Sequence, residues 1–183
     1  MRYLIHTVTI FHCMIFVALM TDCVYGQEWQ SPLIKGYGEI KYFDQAAEQP
    51  DPDQEYKLLF DITSDKKKNG VNKRLWVIAR SLNMMHVAGV PSHNVKIVAA
   101  VHGAATYDLL IEDAYQKKFG KPNPNSDLIA QLKANGVSLF VCSQATAARS
   151  IDLEDINPAI VPALSALSVL ANYQIKGYHL MPK

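Results

Sequence analysis

Cysteine and histidine are the side chains here best suited to covalent and proton-transfer chemistry, and one of each closes an apolar run. Cys142 ends "GVSLFVC" and is followed by the small, polar "SQATAAR"; His102 ends "VKIVAAV" and is followed by Gly103. A thiolate is a nucleophile, and "SQATAAR" reads as the start of a helical turn. That turn would set unpaired N–H groups and the positive end of the helix dipole against the sulfur, which favours the thiolate. The competing reading is a buried cysteine acting as a small hydrophobe. His102 could exchange a proton with a sulfur species, or be a loop histidine bonded to backbone.

Around this pair, Gly103, Ser143, Gln144 and Asn125 are the candidate substrate-contacting residues. Gly103 suits a close approach of backbone or ligand, or a turn. Asn123 and Asn125 flank Pro124, where asparagines also serve turns and caps. Arg149 could attract an anion or be solvated. The sequence has no GxSxG, no Walker A loop and no GxGxxG, so hydrolase, nucleotide and dinucleotide readings lack support. No metal ligand set is expected, because Cys142 has no second cysteine in the mature chain and no close histidine pair. No cofactor is expected either.

These residues need a frame. "YKLLFDI" (56–62), "VKIVAAV" (95–101), "VSLFVC" (137–142) and a short "YHLM" (178–181) read as strands. Between them, apolar residues recur at helical spacing: Val71, Leu75, Ile78, Ala79, Leu82 and Met85; then Tyr107, Leu110, Ile111, Ala114, Tyr115 and Phe119; then Leu128, Ile129 and Leu132 behind a Ser126 cap. Pro162 suits the first turn of a last helix through about Ile175. Strands alternating with helices give an α/β fold with a mainly parallel sheet and helices on both faces. A fifth strand would come from the N-terminal arm or from "SIDLEDI". In such a sheet ligands bind beyond the carboxyl ends of the strands, which puts His102 and Cys142 on one edge.

The ends bear on location and assembly. Residues 1–26 read as a signal peptide: Arg2, an apolar run over 10–20, then Val24 and Gly26 before a cut after Gly26. The run is too short for a permanent membrane span. Lipid attachment at Cys23 is disfavoured by Asp22. The mature chain, periplasmic or secreted, keeps 157 of the 183 residues, with 17 basic and 16 acidic side chains. That is one domain's worth, and its charge balance gives no nucleic-acid signature. Cys13 and Cys23 leave with the leader, so Cys142 is the one remaining thiol. Residues 27–55 form an arm, too apolar at Trp29, Leu33, Ile34, Tyr37, Tyr42 and Phe43 for a free tail, and the α/β domain runs over 56–183. Lys66, Lys67 and Lys68 read as a solvated loop tip. The last helix is apolar nearly all round and must be covered by the arm or by a neighbouring subunit.

The chain from about 56 to 182 resembles the DsrE/DsrF/DsrH-like sulfur-relay family, in particular its exported single-domain members. "VHGAA" (101–105), "DAYQKKFGKPNPN" (113–125), "GVSLFVCSQAT" (136–146) and "ALSVLANYQIKGYHLMP" carry the likeness, in that order. The resemblance implies a three-layer α/β/α, flavodoxin-like arrangement with a parallel five-stranded sheet, and homo-oligomers, commonly trimers or hexamers. It implies that Cys142 carries sulfane sulfur as a persulfide between a protein donor and acceptor, with no cofactor. Related exported members tend to show Cys-Gly-Gln where this chain has Cys142-Ser143-Gln144. The residues alone leave two other functions open: a non-catalytic oligomeric binding module with an inert Cys142, and a thiol redox sensor.

Overall fold

The computed structural model describes residues 28–182. The expected signal peptide, with Cys13 and Cys23, lies outside the described residues. The apolar runs form strands β1 (Tyr56–Ile62), β4 (Val95–Val101) and β5 (Ser138–Cys142). With β6 (Val161–Ala163) and β7 (His179–Leu180) they make one sheet in the order β6-β5-β4-β1-β7, and all four pairings are parallel. A two-residue hairpin, β2 (Lys67–Lys68) with β3 (Val71–Asn72), stands apart from it.

Five helices cover the sheet: α1 (Lys73–Val87), α2 (Glu112–Phe119), α3 (Ser126–Ala134), α4 (Ser143–Ala147) and α5 (Ala166–Ile175). Alternation along the strands separates two cores. Leu58, Phe60 and Ile62 of β1 join Leu75, Ile78 and Leu82 of α1 and Leu128, Ile129 and Leu132 of α3 on one face. Leu59 of β1, Val98 and Ala100 of β4, and Cys142 join Ala145, Ala166 and Val169 on the other, which α5 covers. The result is a three-layer α/β/α fold. Each large side chain withdrawn from water here, such as Phe60 or Leu75, contributes roughly 1.5–3 kcal/mol before chain entropy is set against it.

The N-terminal arm is strapped to its own subunit. Asn83 of α1 is fully buried. Its Oδ1 accepts the N–H groups of Leu33 and Ile34, both at 2.9 Å, and its Nδ2 donates to the carbonyls of Tyr37 at 2.9 Å and Gly38 at 3.0 Å. Gly38 has φ +64°, and a Cβ there would lie 2.1 Å from the Arg80 backbone nitrogen. The arm can touch α1 this closely only because residue 38 has no side chain.

Several expectations need correction. The fifth strand comes from neither the arm nor "SIDLEDI" but from Val161–Ala163, and Pro162 lies inside it rather than in a helix. An edge strand tolerates proline because alternate N–H groups face away from the sheet. The last helix instead starts at Ala166, with the Ser165 hydroxyl accepting the Leu167 N–H at 3.2 Å. Asn125, not Ser126, holds the cap position of α3; the Ser126 hydroxyl donates to Glu112 at 3.2 Å. The stripe from Tyr107 to Phe119 is broken into a 3-10 segment, Gly103–Leu109, and α2. Two of the three lysines are not simply solvated: Lys67 pairs with the buried Asp108, and Lys68 lies 3.9 Å over the Trp76 ring, whereas Lys66 is exposed.

Candidate functional site

Cys142 is the last residue of β5 and the N-cap of α4, with extended backbone at φ −75° and ψ 114°. The strand delivers its sulfur to the carboxyl edge of the sheet, and alternation turns it to the α5 face. There it meets a second helix start. The short β6 runs beside β5, pairing Cys142 with Ala163, and the chain then turns through Ser165 into α5. The beginnings of α4 and α5 therefore converge on one thiol.

The electrostatics follow from that convergence. Burial alone would push the Cys142 thiol up. Hydrogen bonds from the N–H groups of Ala166, Ala145 and Gln144 and from the Ser165 hydroxyl outweigh it, and the thiol pKa falls below its ordinary value. The neutral thiol makes no N-cap hydrogen bond; these donors stabilise the anionic sulfur, a better acceptor. The ten-residue α5 also contributes a dipole, whereas the five-residue α4 supplies mainly its free N–H groups. The residue itself is only 6% exposed. Of the described cysteines, Cys142 is free.

His102 leaves β4 with extended backbone, φ −155° and ψ −168°. It stands two residues beyond Ala100, so its side chain shares the face of Ala100 and Cys142. By the same alternation Asp61, two residues beyond Leu59, faces that side from β1. The register pairs Ile62 with Val101 and Val101 with Val141. Asp61, His102 and Cys142 thus project from one face of three adjacent strands, with His102 on the middle one. The His102 Nε2 lies 2.8 Å from Asp61 Oδ1, which leaves Nδ1 as the uncommitted ring nitrogen.

The other expected contacts divide. Ser143 opens α4 beside the thiol, and the exposed Gln144 donates from Nε2 to the Leu164 carbonyl at 3.3 Å, tying α4 to the lead-in of α5. Gly103 has φ +59°, and a Cβ there would lie 2.6 Å from the Thr63 carbonyl oxygen. Its lack of a side chain serves the packing of two strand ends. Asn125 is fully buried. It accepts the Asn72 N–H at 2.7 Å and donates to Asp108 and Asn123 at 3.2 and 3.0 Å, so its amide is committed to the fold and is not brought to the thiol. Arg149 donates back to the Ala145 carbonyl at 3.0 Å.

Asp61, Ser165 and Ala166 are the site residues that sequence reasoning missed. A carboxylate near the end of the apolar "YKLLFDI" was a usable signal for Asp61. Ser165 and Ala166 carried none, because only the β5–β6 pairing brings them to Cys142.

Comparison with known proteins bears on most of the chain. The sequence model of the DsrE/DsrF-like family matches residues 41–182. No curated protein sequence matches. Among solved structures, the protein of unknown function MTH1491 from Methanobacterium thermoautotrophicum superposes with a TM-score of 0.54 at 19% identity, over 69% of this chain and 98% of that one. That similarity speaks to fold alone.

Proposed function

The chain belongs to the DsrE/DsrF-like family, and from that premise we propose that it carries sulfane sulfur on Cys142. The observation that supports this most directly is the convergence of the Ala166, Ala145 and Gln144 N–H groups and the Ser165 hydroxyl on a thiol whose pKa they lower against burial. A thiolate of this kind attacks the outer sulfur of a donor persulfide. The Sγ–S bond forms, the donor's S–S bond breaks, and the donor leaves as a thiol, taking one proton. Transfer onward is the mirror step: an acceptor thiolate attacks the outer sulfur and Cys142 departs as thiolate, with no net oxidant. A lowered pKa makes Cys142 the better leaving group. His102, oriented by Asp61, handles the proton of the departing thiol. The N–H groups hold the anion as an oxyanion hole holds an alkoxide.

We also propose, from the leader-like residues 1–26, that the mature chain is periplasmic or secreted, and, from the family resemblance, that it is a homo-oligomer. Leu164, Leu167 and Ile175 are 74%, 76% and 84% exposed along α5 and its lead-in. A second copy would cover this apolar surface. A protein sulfur donor and acceptor complete the scheme.

The test is mass spectrometry after incubation with polysulfide. Cys142 should gain mass in multiples of one sulfur and lose it to an added thiol acceptor. A second reading rests on the 6% exposure of Cys142, which suits an inert thiol in an oligomeric binding module. If Cys142 stays unloaded while a free-thiol peptide is loaded, and native alkylation is slow, that second reading stands and the carrier role fails.

A further inference from the structure

A cavity of about 370 Å³ opens just beyond the carboxyl end of β1, between the strand's exit and the first turn of α1. Its wall brings together Lys66, Lys73 and Arg74, with Asp61 and the hydroxyl residues Thr63 and Ser64. The lysines of the β2 hairpin are partnered, Lys67 by Asp108 and Lys68 by the Trp76 ring. Lys66 and Lys73 differ: among the described residues neither joins an ion pair. Arg74 is stranger still. Its Nη1 donates to the Pro182 carbonyl at 2.8 Å, while Nε and Nη2 are buried with no hydrogen-bond partner. A buried charged donor without an acceptor is costly, and native proteins seldom leave one so.

We propose that this cavity binds a small oxyanion, centred on sulfur or phosphorus. Three cations face one carboxylate, Asp61, which already engages His102 at 2.8 Å. The balance repels a cation and attracts an anion. Two ammonium groups and the positive charge of the partly buried guanidinium match what oxyanions take, and the Thr63 and Ser64 hydroxyls can add uncharged donors. An apolar ligand would meet little beyond Val77. The volume falls within the range of about 300–1,000 Å³ usual for small-molecule sites. The position is the sheet edge where parallel α/β folds bind ligands. The site does not depend on sulfur transfer by Cys142, which lies on β5 with β4 between.

Isothermal titration of the full chain with thiosulfate, sulfate and phosphate in turn tests this. Saturable binding of at least one is expected, and comparing the three distinguishes a sulfur from a phosphorus ligand. Arg74→Gln and the double variant Lys66→Gln/Lys73→Gln should each weaken binding by about tenfold or more, the scale of losing a charge-assisted hydrogen bond. Because Arg74 is partly buried, the exposed lysine pair is the decisive variant if Arg74→Gln fails to fold. Cys142→Ser should bind as the parent does. Absence of saturable binding by all three anions overturns the proposal, as does equal binding by the double lysine variant. Binding lost in Cys142→Ser but kept in the lysine variant also overturns it, by moving the anion to the thiol.

Discussion

His102 Nε2 lies 2.8 Å from Asp61 Oδ1, joining the ends of β4 and β1 on the face that carries Cys142. An imidazole held this way presents its other nitrogen in a fixed orientation. Asp61→Asn should slow single-turnover sulfur transfer by up to about a hundredfold, the lower end of the range for general acid–base groups. The rate at which iodoacetamide alkylates Cys142 should stay unchanged, because the thiolate donors are elsewhere. Asp61→Glu should recover part of the loss. An equal fall in alkylation would instead assign Asp61 a merely structural role.

Ser165 links helix capping to thiol chemistry. Its hydroxyl favours the Cys142 thiolate and accepts the Leu167 N–H. Ser165→Ala should raise the thiol pKa by roughly half to one unit, since one hydrogen bond is worth about 1 kcal/mol and one unit about 1.4 kcal/mol. The alkylation-rate profile would move to higher pH by that amount. Stability follows with a definite sign. A lowered folded-state thiol pKa contributes stability above the unfolded thiol's pKa and loses it as pH falls through the folded value. The stability gap between parent and variant should therefore be complete above about pH 8.5 and shrink as pH falls through the folded-state thiol pKa, down to the constant cost of about 1 kcal/mol for the lost cap. Urea melts at pH 7 and pH 9.5 measure it.

Asp108 anchors the polar cluster behind the site. It is 3% exposed, accepts from Asn72 at 2.7 Å and Asn125 at 3.2 Å, and pairs with Lys67. Asn72 in turn caps α1. Asp108→Asn removes the charge that all three donors address and should cost about 2–4 kcal/mol. At 2–4 °C per kcal/mol for a chain of this size, the melting temperature should fall by roughly 4–16 °C. A thermal melt with no change would show that the cluster is dispensable.

The exposed leucines set the oligomer test. Leu164 and Leu167 are 74% and 76% exposed, and Gln144 ties the Leu164 backbone to α4. Leu164→Lys/Leu167→Glu should convert the proposed oligomer to monomer in light scattering, with far-ultraviolet circular dichroism preserved. A parent protein that is already a monodisperse monomer would contradict the expectation.

Much of the frame was legible because apolar burial imposes periodicity. The bounds read for β1 and β4 coincide with the structure, and those for β5 differ by one residue. Of the expected stripe, Leu75, Ile78, Ala79, Leu82 and Met85 form the buried face of α1, whereas Val71 lies in β3. The errors fell where tertiary context outweighs local preference. Pro162 is as good a helix starter as an edge-strand residue, and its pairing with Val141 decides between them. Asn125 does hold the cap position of α3, but burial commits its amide to Asn72, Asp108 and Asn123 rather than to a ligand beside the thiol.

By itself the sequence determined that the chain is α/β with a mainly parallel sheet, that His102 and Cys142 reach the same edge, and that its motifs resemble one sulfur-relay family. Those properties depend on residue type and spacing along one strand or helix, which a linear reading carries. Only the tertiary structure decided what surrounds the thiol and the imidazole. Asp61 meets His102 across a sequence gap of 41 residues because β1 and β4 are neighbours. Ser165 and Ala166 reach Cys142 because β6 pairs with β5 and turns α5 back over it. Strand order sets these contacts, and strand order is fixed by the packing of all layers together, not by any segment's own pattern.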